Sequence, residues 1–451
     1  MRACRSARLL HLASCAFLVS AAACASAAPA SRAGPRLVIA PESAQVDEPI
    51  RIRAEGLAPG TPVEVVLRWP GAPGGVLRSN ARVHADRNGR IDLGVQKPDA
   101  ASYPGVDANG LLWSLAAEVS SPPAPAEPWR APRPMRLEAR LNVDGWTVDE
   151  RAVTRTLMAP GVTMREVAEA GVLAHLYAPA SARRLPVVIV LTGSEGGFDD
   201  LGAAVLASHG YAALAVAYFG APGLPDELSE IPVERIARAV AWIRTQPGLD
   251  AGRIGVMGAS KGAELALVAA TLVPEIRAVV AYAPADVVNP GLARQGGTRP
   301  QSSWTWKGAP LPFLALTPPP EFEAQFRRQP PYRLRPLYEA SRSDSALARA
   351  AIPVERIHGA VLLISGDDDQ MIPSGPAAEA VVRRLREAHH PYPFHHLHYP
   401  AAGHVILLPY LPTPPRERIG PWRTGGTPAG YARADAESWP IVLRFLADAL
   451  R

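Results

Sequence analysis

A serine hydroxyl attacks a carbonyl carbon at neutral pH only when a neighbouring base takes its proton and a third group holds that base in the right tautomer. The run Arg253-Ile-Gly-Val-Met-Gly-Ala-Ser-Lys-Gly-Ala-Glu-Leu-Ala-Leu-Val268 offers such a serine: Ser260, flanked at two residues on either side by Gly258 and Gly262. An apolar stretch precedes it and an Ala/Leu-rich one follows, the pattern of a strand, a sharp turn and a helix. Small neighbours are needed because the turn brings the serine backbone against adjacent chain, and the helix start then aims N–H groups at a developing oxyanion.

This arrangement predicts an acid and then a histidine further along the chain. The acid is sought at the carboxyl end of a late buried strand, where open α/β sheets place their sites. Val361 to Ile364 is such a strand, and Ser365-Gly-Asp-Asp-Asp-Gln-Met-Ile-Pro373 follows it. The spacing Gly-x-x-Asp-x-x-Ile-Pro selects Asp369, with Asp368 as the alternative. The base is expected after the last strand, where Tyr399-Pro-Ala-Ala-Gly-His404 supplies His404. For the oxyanion, one donor is expected from the N–H of Lys261. The other is expected from Ser194 or Glu195 in the Gly-rich turn Thr192-Gly-Ser-Glu-Gly-Gly197. That turn fits neither G-x-G-x-x-G nor a phosphate-binding loop with its Lys-Ser/Thr.

The cluster His389, His390, His395, His396 and His398 raises the question of a metal. No carboxylate or cysteine completes a ligand set there, and strand alternation would divide the side chains between two faces. No metal or cofactor is implied.

The elements that must position these groups are legible in two textures. From Pro35 to about Val148 the chain shows short β-like runs: Arg36–Ile39, Ile50–Arg53, Val63–Leu67, Ala81–His84, Gly89–Leu93 and Trp113–Val119, with further strand-like residues from Met135 to Val143. Turn residues separate them, which predicts a small all-β sandwich over 35–150. The segment Ser120–Pro128 reads as a long loop within it. From about Thr154, buried strands alternate with helices. Val187–Leu191 and Ala212–Ala217 are continuous apolar runs suited to a parallel sheet covered on both faces. Helices are expected at Asp200–Ser208 and Val233–Thr245, and further strands at Ile254–Met257, Ala278–Tyr282, Ala360–Ile364 and His395–Tyr399. The fold class is therefore α/β, a doubly wound, mostly parallel sheet over 155–451 preceded by the sandwich. A Pro-rich, aromatic insertion at about 289–349 reads as a cap over the active-site edge.

With 451 residues, 48% apolar and 20% charged, the chain can bury two cores, and disorder is not the default. Its net charge of +5 falls to about +2 once Arg2, Arg5 and Arg8 are set aside. That balance and the lack of a nucleic-acid motif argue against a nucleic-acid partner. The three arginines precede a predominantly apolar run from Leu9 to Ala23, and Ala25-Ser-Ala27 follows. Residues 1–27 read as an export signal, predicting a periplasmic or secreted protein with no stable membrane span after cleavage. Two alternatives stay open: lipid attachment at Cys24, and an anchor helix that is retained. All three cysteines, Cys4, Cys15 and Cys24, lie in this leader, so a chain cut after Ala27 has no thiol.

The chain as a whole resembles the acyl-CoA thioesterase and bile acid-CoA:amino acid N-acyltransferase family. In the α/β part the likeness runs through Ser260-Lys-Gly-Ala-Glu264, Ser303-Trp-Thr-Trp-Lys-Gly308, Ala401-Ala-Gly-His404 and Gly425-Gly-Thr-Pro428. In the sandwich it runs through Val46-Asp-Glu-Pro-Ile50, Ile52–Leu57 and Ser102–Ser114, which includes the distinctive Gly-Leu-Leu-Trp-Ser element. The resemblance implies an α/β-hydrolase fold and a small-molecule acyl thioester substrate. Conjugating members often carry Cys at the elbow. Ser260 here implies hydrolysis, with transfer to an amine or an exported carboxylesterase as the competing readings. One departure stands out: coenzyme A esters are chiefly intracellular, whereas the leader points outward.

Overall fold

The computed structural model describes residues 34–118, 133–181, 183–294 and 297–451. The leader, its three cysteines and the segment Ser120–Pro128 lie outside the described residues.

The first part of the chain forms two antiparallel-rich sheets. Strands Arg36–Ala40, Arg51–Glu55 and Ile91–Asp92 make the smaller one. The larger is built on Pro62–Trp69, Leu77–His84, Met135–Val143 and Trp146–Thr156. Alternation turns Leu37, Ile39 and Ile52 of one sheet and Val63, Val65, Leu67, Leu137 and Leu141 of the other into a common core.

One sequence expectation fails here. Trp113–Glu118 is not one strand: Gly110–Trp113 is a short helix, and of this run only Ala116–Ala117 pairs in the sheet, Val119 lying outside the described residues. Trp favours strands locally, but tertiary contacts decide otherwise. The Asp107 carboxylate accepts the Asn109 N–H at 2.8 Å and starts a turn, while the Asn109 side chain accepts the Ile50 N–H at 2.9 Å. A Cβ on Gly110 would come within 2.4 Å of the Tyr103 ring, which explains the glycine.

The second part is an α/β hydrolase. Its eight strands are β1 (Val162–Glu169), β2 (Val172–Pro179), β3 (Leu185–Leu191), β4 (Ala212–Val216), β5 (Leu249–Ala259), β6 (Ile276–Tyr282), β7 (Ala360–Gly366) and β8 (Phe394–Tyr399), ordered β1-β2-β4-β3-β5-β6-β7-β8. Strands β3 to β8 pair in parallel, and β2 pairs antiparallel to both β1 and β4. The hairpin of β1 and β2 was not legible as part of this sheet, because β1 is mostly exposed and carries charged residues and β2 is only partly buried.

The principal helices are α1 (Asp200–Ser208), α2 (Glu234–Ile243), α3 (Lys261–Leu272), α4 (Ser374–Glu387) and α5 (Pro428–Ala449). Alternation divides β3 between two cores: Val187, Ile189 and Leu191 join α2 and α3 on one face, whereas Val188 and Val190 belong to a core continuous with the sandwich. The two parts are also joined by polar contacts. Asp47 accepts from Trp439 Nε1 at 2.8 Å and pairs with His209 Nε2 at 2.6 Å; within the sandwich, buried Arg155 holds the Asp47 segment by donating to the carbonyls of Val46 and Glu48.

Candidate active site

Strand β5 ends at Ala259 and α3 begins at Lys261, leaving Ser260 alone on the turn. Its φ of 55° and ψ of −118° lie in a region that residues with a side chain seldom occupy. The strain is held by packing on both sides. A Cβ on Gly258 would sit 2.5 Å from the Gly262 backbone, and one on Gly262 would sit 2.2 Å from the Thr192 carbonyl oxygen. The Ser260 N–H donates to the Tyr282 carbonyl at 2.9 Å, fixing the turn to β6.

The downstream partners come together on this serine. His404 Nε2 lies 3.0 Å from Ser260 Oγ, and His404 Nδ1 lies 2.8 Å from Asp369 Oδ2. With the Nδ1 proton given to the carboxylate, Nε2 is the acceptor that faces the hydroxyl. Both His404 and Asp369 are buried.

Asp369 is held from several directions. Oδ1 accepts the N–H groups of Met371 at 2.8 Å and Ile372 at 3.1 Å, and Oδ2 also accepts the Ser374 hydroxyl at 2.6 Å. Asp368 instead faces away: its carboxylate accepts the Gly426 N–H at 2.8 Å and a Gln370 side-chain N–H. His404 is tied down through its own N–H, which donates to the Thr424 carbonyl at 3.0 Å. A Cβ on Gly403 would press within 2.4 Å of the Tyr431 hydroxyl, so the base needs a glycine before it.

The turn after β3 stands against the elbow, and a Cβ built on Gly193 would be 3.5 Å from the Ser260 Cβ. The buried Tyr218 hydroxyl donates to the Thr192 and Gly193 carbonyls, at 2.7 and 3.1 Å, and holds the turn there. Ser194 and Glu195 sit exposed at its tip. Lys261 opens the helix that follows the serine.

The histidine cluster disperses. His390 Nε2 meets the Gly359 carbonyl at 3.0 Å, His396 Nε2 meets Ser365 Oγ at 2.8 Å, and His398 lies 3.5 Å from Asp367. Among the described residues no three His, Cys, Asp or Glu side chains are grouped to hold a metal ion.

A second buried network, which local sequence does not signal, lies beside the serine. Lys261 and Glu264 are only 5% and 1% exposed. Lys261 Nζ contacts Glu264 Oε2 at 3.2 Å, the Pro290 carbonyl at 3.1 Å and Ser303 Oγ at 2.6 Å. Glu264 accepts the N–H of Asn289 at 3.0 Å, the Asn289 side-chain amide at 2.8 Å and the Trp304 indole N–H at 2.7 Å. Burial pushes the Lys261 ammonium below its ordinary pKa, while Glu264 opposes that shift. The insertion is thus fastened to α3 one helical turn from the serine. Its spacing Lys-x-x-Glu was visible, but the partners near 289 and 303 were not. Ser374 was likewise missed, although it lies only five residues from Asp369.

Two family models match this chain. One, described as BAAT / Acyl-CoA thioester hydrolase C terminal, covers residues 231–451, and the other, Acyl-CoA thioester hydrolase/BAAT N-terminal region, covers residues 47–169. Acyl-coenzyme A thioesterase 6 of Mus musculus is 31% identical over 419 residues, 88% of this chain and 93% of the relative. The chain belongs to the acyl-CoA thioester hydrolase/BAAT family. Other members include acyl-coenzyme A thioesterase 2, mitochondrial, of Mus musculus, 30% identical over 92% of this chain and 89% of its own length. Another is acyl-coenzyme A amino acid N-acyltransferase 1 of the same organism, 28% identical over 91% of this chain and 96% of its own. The two models reach into both the sandwich and the α/β part.

Proposed function

We propose that this family member is a serine thioesterase that hydrolyses an acyl-CoA or a related acyl thioester to free acid and thiol. The observation that carries the reading is the continuous contact from Ser260 through His404 to Asp369.

In the reaction we infer, Ser260 Oγ forms a bond to the thioester carbonyl carbon as its proton passes to His404 Nε2. Asp369 keeps the Nδ1 proton in place and stabilises the imidazolium without taking that proton. Negative charge moves to the carbonyl oxygen, facing the N–H of Lys261 and that of Ser194 or Glu195, donors whose counterparts are worth about 3 kcal/mol each in known enzymes. The C–S bond then breaks, and the thiolate takes the proton from His404 Nε2 as it leaves. Water attacks the acyl ester, gives its proton to Nε2, and the released Ser260 oxygen recovers one. An amine could replace water in the second half. The relative named as an amino acid N-acyltransferase makes that the second reading, and a serine at position 260 weighs against it. The leader at 1–27 makes the protein an exported one in this proposal, so its natural donor is a thioester met outside the cytoplasm.

The test is a thiol-release panel over acyl-CoA chain lengths and simple oxygen esters, run with and without glycine or taurine. Thiol release that falls by on the order of 10^4 or more in Ser260→Ala supports the proposal. Cleavage of oxygen esters with no thiol release from any thioester overturns it in favour of a carboxylesterase, and amide formation with glycine or taurine moves it to transfer.

A further inference from the structure

Behind the acid loop lies a cavity of about 610 Å3, lined by Asp368, Gln370, Arg333, Glu417, Arg418 and Arg423 together with Gly425 and Gly426. Its wall is the same pair of loops that positions the acid and the base, since the Gln370 and His404 N–H groups both donate to the Thr424 carbonyl, at 3.2 and 3.0 Å. The size suits a small-molecule site.

Two of its arginines are placed in a costly way. Arg418–Ile419 and Trp422–Arg423 form a two-stranded antiparallel ribbon in which Arg418 stands directly opposite Arg423. Like charges at directly opposed positions repel. Among the described residues neither guanidinium forms an ion pair, whereas Arg294, Arg299 and Arg384 each meet a carboxylate. In the ribbon's other pair, Ile419 and Trp422, the Trp422 ring packs toward Tyr332 and Phe326, at 6.1 and 6.2 Å. The adjacent Asp368 carboxylate takes its hydrogen bonds from the Gly426 N–H and Gln370 and forms no ion pair with Arg418 or Arg423. Glu417 is the one remaining acidic wall.

We infer that this cavity binds the phosphate-bearing end of the thioester carrier, with Arg418 and Arg423 as a two-armed clamp on its phosphates. Two guanidiniums on one short rigid ribbon suit bidentate contact with phosphate oxygens, and a bound dianion would remove their repulsion. The inference rests on the thioesterase proposal for the acyl half of the substrate but not on the chemistry at Ser260.

Titration calorimetry of the full chain with free coenzyme A, pantetheine 4′-phosphate and pantetheine tests it. Coenzyme A should bind more tightly than pantetheine, with the monophosphate between them, and raised salt should weaken the binding. Arg418→Gln and Arg423→Gln should each weaken coenzyme A binding about tenfold, with Lys at both positions recovering part of the loss. Glu417→Gln should act in the opposite sense and tighten it, because one repulsive charge is removed.

Equal binding of coenzyme A and pantetheine, or double-variant binding equal to wild type, would overturn the clamp. Inorganic pyrophosphate competing as strongly as coenzyme A would reduce it to a general anion site. Thiol release without charge-dependent coenzyme A binding refutes this inference alone, and arginine-dependent binding without thiol release refutes the thioesterase proposal alone.

Discussion

The Lys261–Glu264 pair gives a prediction whose size follows from its surroundings. Removing one member of a buried ion pair costs about 3–5 kcal/mol, and each orphaned buried donor adds about 1–3 kcal/mol. The two members are not equivalent. In Lys261→Met the Glu264 carboxylate keeps three hydrogen bonds, from the Asn289 backbone, the Asn289 amide and Trp304. The loss should therefore lie at the low end, about 3 kcal/mol. In Glu264→Leu the ammonium keeps only the Pro290 carbonyl and Ser303 hydroxyl, and the three donors lose their acceptor. That loss should be about 5 kcal/mol or more. At about 2 °C per kcal/mol for a unit of this size, apparent melting should fall by about 6 °C and about 10 °C respectively. Thermal unfolding at a fixed scan rate measures both. Limited proteolysis should show the segment after Asn289 cut sooner in Glu264→Leu, because that segment loses its tether to α3. Melting of Lys261→Met at or above wild type, or Glu264→Leu no worse than Lys261→Met, would refute the reasoning that this pair fastens the insertion to the serine helix.

Exchanging the carboxylates tests the acid assignment. Asp369→Asn should lower thiol release by about 10^4, because the amide leaves His404 in the wrong tautomer, whereas Asp368→Asn should keep most of it; the reverse order in steady-state rates would transfer the role to Asp368. The joint between the two parts should be pH-sensitive. The bond to Asp47 holds the His209 pKa above its ordinary 6.5, and burial only partly offsets it. Burial alone would push the Asp47 carboxyl up, yet the bonds from His209 and Trp439 outweigh it and keep the pKa below 3.8. Stability from His209 is therefore complete below pH 6.5 and is lost as pH rises through its raised pKa, while that from Asp47 is lost only in acid. Wild-type melting should fall between about pH 6 and pH 8.5 relative to His209→Gln, and parallel curves over that range would show that the contact does not contribute.

Much of the fold was legible because it is written locally. The buried strands β3 to β7 announce themselves as short apolar runs, and α1 lies where the pattern placed it. The elbow was legible for the same reason: only small residues fit on either side of Ser260, and the glycines occupy those places. His404 could be picked out by its position after the last strand. Where neighbours distant in sequence decide, the reading stopped or failed. Trp113 looked like a strand residue until Tyr103 and Asn109 were packed around the Gly110–Trp113 turn. The β1–β2 hairpin lies at a sheet edge, so charged, mostly exposed β1 and partly buried β2 lack the continuous burial of the centre.

The sequence by itself determined the kinds of group available and their order along the chain: an elbow serine, three successive acids, and a glycine-preceded histidine. These follow from local sterics and strand-end placement, which a few neighbouring residues specify. Only the tertiary structure decided which acid meets the histidine, that Lys261 and Glu264 lock onto Asn289, Ser303 and Trp304, and that Arg418 faces Arg423 across one ribbon. Each of those outcomes is a contact of a few ångströms set by the direction a loop takes, and a loop's direction is fixed by what it packs against, not by its own composition.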